Sequence, residues 1–188
     1  MIIRTPRLLL LPLSYAQLER CLADLPGLET ELGFPLARAI FTEEVTNAIG
    51  MKLAKLEILP LALHPWQTYW LIVLLHSNRP EPQPQIGAGL IGFKGYPNAN
   101  GETEVRYGIA PQFQGQGYTT EALRALCTWA FRHPDCRAIT ATTVLNPASN
   151  RILYKAGAQI IDAREGRVEW KIYRLGFQPL GEVLEKHP

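Results

Sequence analysis

Residues 112–117 read Gln112-Phe113-Gln114-Gly115-Gln116-Gly117, and they separate a strand-like run, Glu102 to Ala110, from a strongly helical one, Tyr118 to Arg132. A Gln-x-x-Gly-x-Gly turn at a strand-to-helix junction is suited to holding phosphate. Its two glycines let the backbone approach an anion closely and take φ values that other residues resist. The helix behind it aims unpaired N–H groups and the positive end of its dipole at the same point. No Gly-Lys-Ser/Thr follows, which excludes a nucleoside-triphosphate loop. A turn needed only for geometry has the same spacing, so the weight falls on a second motif about thirty residues on.

Outward from the turn, the chain alternates between helix and strand periodicity. Ile2 to Leu13 reads as a strand ended by Pro12. Ser14, with Gln17 three residues on, forms a capping box and starts a helix with the stripe Leu18, Cys21, Leu22 and Leu25. Pro26-Gly27 is expected to stop that helix. Thr42, followed by Glu43 and Glu44, opens a second helix that turns Val45, Ile49, Leu53 and Leu56 inward and ends before Pro60. Strands are predicted over 69–75, 85–96 and 102–110, with Asn98-Ala99-Asn100-Gly101 turning the chain into the last. The stretch 77–84 carries three prolines and reads as a polar loop. After the 118–132 helix come a strand over 138–144, a short helix over 147–155, and a closing pair at 158–162 and 167–175. The order β-α-α-β-β-β-α-β-α-β-β predicts one α/β domain spanning 1–188, a mixed sheet with helices on its faces.

At 188 residues the chain can bury a full core. Its formal net charge is +2, from 19 basic and 17 acidic residues, with no clustered Lys/Arg stripe. Nucleic acid is thereby excluded as the main partner, because backbone-phosphate binding needs concentrated cationic charge. Cys21, Cys127 and Cys136 are odd in number and lack Cys-x-x-Cys spacing. Neither a disulfide framework nor a zinc site is expected, and a reducing cytoplasm is. The four histidines make no metal-ligand pair. Leu8-Leu9-Leu10-Leu11 is too short for a membrane span and reads as buried strand.

The second motif is Asn146-Pro147-Ala148-Ser149-Asn150-Arg151-Ile152-Leu153-Tyr154-Lys155-Ala156-Gly157. On local physics it is a well-capped short helix: Asn146 is a good N-cap, Pro147 suits the first helical position, and Gly157 ends the run. Taken together, however, Gln-x-x-Gly-x-Gly, a helix, a strand and Asn-x-x-Ser-x-Arg-x-Leu-x-Lys-x-Gly resemble the GNAT family of N-acetyltransferases. The branch most similar contains the ribosomal-protein N-terminal acetyltransferases, whose usual start the opening Thr5-Pro6-Arg7-Leu8-Leu9-Leu10 also resembles. The likeness runs continuously from about Ile86 to Gly157. It implies the family's fold, a mostly antiparallel twisted sheet with one splayed parallel strand pair and helices on both faces. It also implies acetyl-CoA as co-substrate.

By this resemblance the glycine turn cradles the cofactor pyrophosphate through backbone N–H groups, which places Gln112, Gln114, Gly115, Gln116, Gly117, Tyr118 and Thr119 at acetyl-CoA. The preceding strand, ending Gly108-Ile109-Ala110-Pro111, would hold the pantetheine arm and thioester, and Asn146 would bind the arm where two parallel strands part. Acetyl transfer requires that an ammonium lose a proton, that an oxyanion be stabilised and that a thiolate leave. A backbone N–H near Ile109 or Ala110 is the expected oxyanion donor. Glu104 is the expected base. Glu102, Glu104 and Arg106 share one strand face, with Val105, Tyr107 and Ile109 on the other. Glu104 also stands seven residues before Pro111, where the branch carries a carboxylate. The competing reading of these charges is a plain solvated face. For the departing thiolate, many relatives place a Tyr seven residues after the motif Asn, but here that position is Leu153. Tyr154 lies about 100° further round the helix. Ser149 is the expected substitute, against the simpler role of a helix-start hydroxyl.

The expected activity is direct acetyl transfer to a primary amine, on a peptide N-terminus or a small molecule; a homodimer is compatible with it. Two rivals stand beside it. A catalytically inactive CoA-binding module is favoured by Leu153 and disfavoured by Glu104. A dinucleotide-binding oxidoreductase is disfavoured because the third glycine position is Thr120 and two helices precede the motif. Trp66, Tyr69 and Trp70 read as core rather than as an acceptor pocket, and Cys127 as a small buried hydrophobe.

Overall fold

Eight strands form one sheet in the computed structural model, which describes residues 1–75 and 83–180. The expected single strand over Ile2 to Leu13 is instead a hairpin of β1 (Ile3–Arg4) and β2 (Leu8–Pro12). The break falls at Thr5-Pro6-Arg7, where Pro6 has no N–H for a ladder and the Thr5 N–H closes the turn on the Leu8 carbonyl at 2.9 Å. β2 pairs antiparallel with β3 (Trp70–Leu75), β3 with β4 (Pro84–Phe93), and β4 with β5 (Glu102–Ile109). β5 runs parallel to β6 (Ala138–Val144). β6 pairs antiparallel with β8 (Arg167–Tyr173), and β8 with the edge strand β7 (Gln159–Arg164). Most of the loop expected over 77–84 lies outside the described residues, and Pro84 already belongs to β4.

Helix α1 (Tyr15–Ala23) starts at the predicted capping box, with the Ser14 and Gln17 side chains each accepting the other's backbone N–H. Pro26-Gly27 does not stop it. The helix ends at Asp24, and Pro26 and Gly27 lie in the first turn of a further helix, α2 (Leu25–Leu32). The Asp24 carboxylate accepts the Gly27 N–H at 2.9 Å and so caps α2, while Pro26 occupies a first-turn position where no N–H is needed. Gly33, at φ 78, closes α2 in the left-handed conformation. Leu22, expected in the inward stripe, is exposed, and Leu18 and Cys21 carry the packing. α3 (Glu43–Leu56) begins at Thr42 as read. A single turn, α4 (His64–Gln67), follows, and His64 finds a partner in the Leu59 carbonyl at 3.1 Å. α5 (Tyr118–Ala130) and α6 (Pro147–Lys155) match their expected positions.

The sheet is covered on both faces. Leu8, Leu10, Trp70, Ile72, Ile91 and Val105 pack with Leu123 and Leu126 of α5 and Leu153 of α6. Leu71, Val73 and Leu90 pack with Leu18, Leu28, Ile49 and Leu56 of α1–α3. Burial of each such side chain contributes about 1.5–3 kcal/mol. All six residues of β3 are buried, which is why its sequence shows an unbroken apolar run and no alternation. The three cysteines are buried free thiols. Burial pushes Cys21 up to about 12 and Cys136 to about 11, so they remain protonated and inert. Among the described residues, no helix is long and apolar enough to cross a membrane.

One irregularity positions everything that follows. β5 and β6 pair only through Glu102–Ala138, Thr103–Ile139 and Glu104–Thr140. Beyond that point β5 stays with β4 as far as Ile109, and β6 stays with β8 as far as Val144. Each strand follows its outer partner, and a gap opens between Val105–Ile109 and Ala141–Val144.

Candidate active site

The backbone chemistry of the gap follows from strand parity. The Lys94 N–H donates to the Glu104 carbonyl and the Ala110 N–H to the Ala88 carbonyl, each at 2.8 Å. Even-numbered residues of β5 therefore bond to β4, and by alternation along the ladder the peptide groups of Tyr107 and Ile109 face the gap. Ala110 is thus corrected as an oxyanion donor, because its N–H already has a partner. The N–H groups of Ile109 and Tyr107 face the gap and are open to that role. The Ile109 carbonyl is occupied by the Gln114 amide at 3.3 Å, which ties the strand end to the turn above it.

At the mouth of the gap Pro111–Phe113 forms one turn of 3-10 helix, and Gly115 and Gly117 follow at φ 75 and 81. Gly117 is the N-cap of α5 and offers no side chain to the helix, so the first-turn N–H groups are left for a ligand. Gln112, Gln114, Gly115, Gln116 and Gly117 are all exposed. Thr119 is buried. The Tyr118 ring lies under the Arg7 guanidinium, 4.7 Å from ring centroid to Arg7 Cζ. Arg7 appears in the sequence only as part of the opening run; no spacing rule links it to a turn more than a hundred residues away.

Glu104 stands at the last strand pair before the gap. Its Oε2 lies 2.6 Å from Lys94 Nζ and its Oε1 2.9 Å from Arg106 Nη2, with the side chain 24% exposed. The Arg106 contact is ionic only: Oε1 is buried and receives no directed hydrogen bond. Glu102 is committed elsewhere, 2.8 Å from Lys171 Nζ, and this bond pushes the Lys171 ammonium up. The face carrying Glu104 and Arg106 lies under α3. There burial pushes the Tyr69 hydroxyl up, with Arg106 opposing and Glu44 reinforcing that shift. A Cβ on exposed Gly108 would meet nothing within 4 Å, so the space above β5 is open.

On the same side, the Lys52 ammonium is buried and donates to the Gln67 and Phe93 carbonyls at 2.6 and 2.7 Å, over the Tyr69 ring. Burial pushes it down to about 7, with Lys55 adding to the effect. Lys52 fastens α3 to the sheet one residue from Lys94, and its helical spacing alone hid this role.

Across the gap, Asn146 caps α6 by accepting the Ser149 N–H at 3.0 Å. Leu145, just before it, holds φ 45, a strained value for a branched residue. Leu153 is buried and Tyr154 is exposed, so neither presents a hydroxyl to the gap. Tyr107 does: its hydroxyl makes a long contact of 3.4 Å with the Ser149 carbonyl, and burial pushes it up to about 12. Sequence analysis placed Tyr107 on the correct face but gave it no role. Trp66 and Trp70 are core, as read.

A parted parallel strand pair with a left-handed glycine turn at its mouth matches known proteins in sequence and in fold. The family model for the acetyltransferase (GNAT) domain matches residues 7–159, and the chain belongs to the GNAT acetyltransferase family. Its fold is similar to that of a GNAT-family acetyltransferase from Bacillus anthracis, at 18% identity and TM-score 0.58 over 93% of this chain and 99% of that one. It is also similar to RimL, a ribosomal L7/L12 α-N-protein acetyltransferase solved with coenzyme A, at 18% identity and TM-score 0.59 over 92% and 98% of the two chains. A ribosomal-protein-S5-alanine acetyltransferase from Vibrio fischeri gives 15% identity and TM-score 0.59 over 95% and 100%. No curated protein matches the sequence. With family membership, the dinucleotide-binding reading falls away.

Proposed function

We propose that the protein transfers the acetyl group of acetyl-CoA directly to a primary amine in the cytoplasm. The observation that carries this is the gap between β5 and β6, with the glycine turn at its mouth and Glu104 at its vertex. The residues fit the co-substrate. Uncapped N–H groups of the turn and of α5 suit its pyrophosphate, and the Tyr107 and Ile109 peptides and Asn146 suit its arm. Acetyl-CoA supplies an activated thioester; the C–N bond forms as the C–S bond breaks. The N–H groups of Tyr107 and Ile109 donate to the carbonyl oxygen as charge develops on it. Glu104 takes the amine's proton. Tyr107 lies three positions along the strand from Glu104, roughly 10 Å, so the proton passes through water. Lys94 and Arg106 fix the position of the Glu104 side chain. Ser149, or Tyr107 beside it, returns a proton to the thiolate.

RimL acts on a ribosomal-protein N-terminus, so peptide N-termini lead the list of acceptors, followed by small-molecule amines. The test is free-thiol release from acetyl-CoA over a panel of peptides, polyamines and antibiotics. Acetyl-CoA, unlike NAD or ATP, should raise the melting temperature, by about 2.7 kcal/mol of stabilisation at a hundredfold excess over Kd. Stabilisation without thiol release for any acceptor would support the inactive CoA-binding module, the reading that Leu153 keeps in play.

A further inference from the structure

We infer that Arg7 is a positioning residue for the pyrophosphate turn. Held by Glu121, it fixes the Gln116 carbonyl and so aims the Gly117 N–H at the co-substrate. The inference rests on the acetyl-CoA reading above.

Glu121 lies in the first turn of α5 with its side chain 10% exposed. Its Oε1 accepts the Thr5 hydroxyl at 2.6 Å and the Arg7 backbone N–H at 3.1 Å. Its Oε2 receives Arg7 Nε and Nη2, both at 2.6 Å. The whole β1–β2 turn is thereby bound to one carboxylate. With two of its nitrogens held there, the guanidinium has a defined plane, stacks on Tyr118, and donates from Nη1 to the Gln116 carbonyl at 3.0 Å.

The carbonyl and N–H of one peptide unit point in opposite directions. Fixing the Gln116 oxygen on Arg7 therefore directs the Gly117 N–H away from Arg7, to the open side of the turn. Glycine in a left-handed conformation samples many others in the absence of such a hold, so the bond removes freedom that an anion would otherwise have to remove. A second effect is electrostatic. Glu121 stands one turn from the expected pyrophosphate, and the Arg7 charge cancels it. Without Arg7 that carboxylate would repel the diphosphate. A tie that merely fastened the N-terminus to α5 would need only the Arg7–Glu121 pair, and the Gln116 bond would serve no purpose in it.

The test compares wild type with Arg7→Met, Arg7→Lys and the double variant Arg7→Met/Glu121→Gln. It measures CoA affinity by calorimetry, and kcat/KM for acetyl-CoA and for S-acetylpantetheine, which lacks the diphosphate. Arg7→Met is expected to weaken CoA binding by about 10- to 100-fold, the loss of a charge-assisted bond plus an uncompensated charge. The deficit should fall on KM for acetyl-CoA, leaving the acceptor KM and the S-acetylpantetheine reaction largely in place. Arg7→Lys should recover only the electrostatic share of the loss, because an ammonium cannot fork on Glu121 and reach Gln116 together. The double variant should bind CoA more tightly than Arg7→Met alone. If Arg7→Met melts below the assay temperature, Arg7→Lys, which keeps charge and length, carries the same comparison. Equal CoA affinity in wild type and both Arg7 variants overturns the role, as does an equal loss with acetyl-CoA and S-acetylpantetheine. A wild type that binds no CoA overturns the acetyl-CoA reading itself, and this role with it.

Discussion

The two halves of the site are made of different material. On the side proposed for the co-substrate the available groups are peptide units: Tyr107 and Ile109 facing the gap, and the left-handed turn at Gly115 and Gly117. On the side proposed for the acceptor they are side chains: Glu104 between Lys94 and Arg106, with Lys52 and Tyr69 behind them under α3. Backbone recognition demands particular φ values, and those demand particular residues, so it leaves a readable trace. Side-chain recognition needs only that suitable groups meet in space, and many sequences can arrange that. The diphosphate side is therefore announced by a motif, and the acceptor side is not.

The sharpest way to separate the halves is Glu104→Gln. The amide keeps the size of the carboxylate and can still accept a bond from Lys94, but it takes no proton. Turnover is expected to fall by roughly 10²–10⁴, the usual share of a positioned general base, with CoA affinity by calorimetry unchanged. Full turnover in the variant would move the base elsewhere, since Glu102 is tied to Lys171.

Gly117→Asp should strike the other half. Position 117 holds φ 81 and a Cβ there would come within 3.5 Å of Arg7 Nη2. The carboxylate would sit at the N-terminus of α5, attracted to Arg7 and repelling any diphosphate. CoA affinity is expected to fall by about 10²-fold from charge repulsion at the helix N-terminus, while the left-handed strain lowers the melting temperature of the free protein by a few degrees. Undiminished affinity would mean that the turn does not hold phosphate.

What was legible in the chain follows the same division. Ser14, Thr42 and Asn146 were read correctly as helix caps because a cap is a contact within three residues. Pro26-Gly27 was misread because the group that decides its conformation is the Asp24 carboxylate, which turns a stop signal into a first helical turn. Parity along β5 is visible for side chains, yet which peptide groups face the gap depends on the partner strand, and the sequence alone does not show that the Ala110 N–H is bound to Ala88. Arg7 and Glu121 are 114 residues apart, and nothing short of the fold joins them.

A smaller effect is expected where the acceptor side is fastened to the sheet. Lys52→Met removes two donors from the buried Gln67 and Phe93 carbonyls, a loss of about 1–3 kcal/mol. It should raise the acceptor KM without changing stabilisation by acetyl-CoA. The pH dependence has a definite sign. Burial pushes folded Lys52 down to about 7, whereas an unfolded lysine titrates near ~10.4. Between these values the unfolded chain binds more protons, so this group makes wild-type stability rise with pH from about 7 toward about 10. The variant lacks that rise, and its deficit in denaturant melts should widen between pH 7 and 9. A constant deficit would place the Lys52 pKa near its ordinary value.

The smallest expected effect lies at the junction of the two halves, in the return of a proton to sulfur. The Tyr107 hydroxyl reaches the Ser149 backbone carbonyl there, at 3.4 Å. The Tyr107 hydroxyl, pushed up to about 12 by burial, stays protonated across the working pH range and is available as a donor. An alkyl thiol has a pKa near ~8.5, which makes its thiolate a good leaving group with little need of help. Ser149→Ala is therefore expected to lower turnover by less than about tenfold, well under the usual share of a general acid. The deficit should shrink as the pH passes about 8.5, where the departing thiolate no longer needs a proton. Tyr107→Phe tells the two hydroxyls apart. It removes the phenol and leaves the ring that fills the space between β5 and α6, so packing is preserved and only proton supply changes. If Ser149 is the donor, the Phe variant keeps nearly full turnover. If it loses more than the Ala variant does, the proton comes from β5, from a residue two positions from Ile109 on the strand whose peptide groups already face the gap.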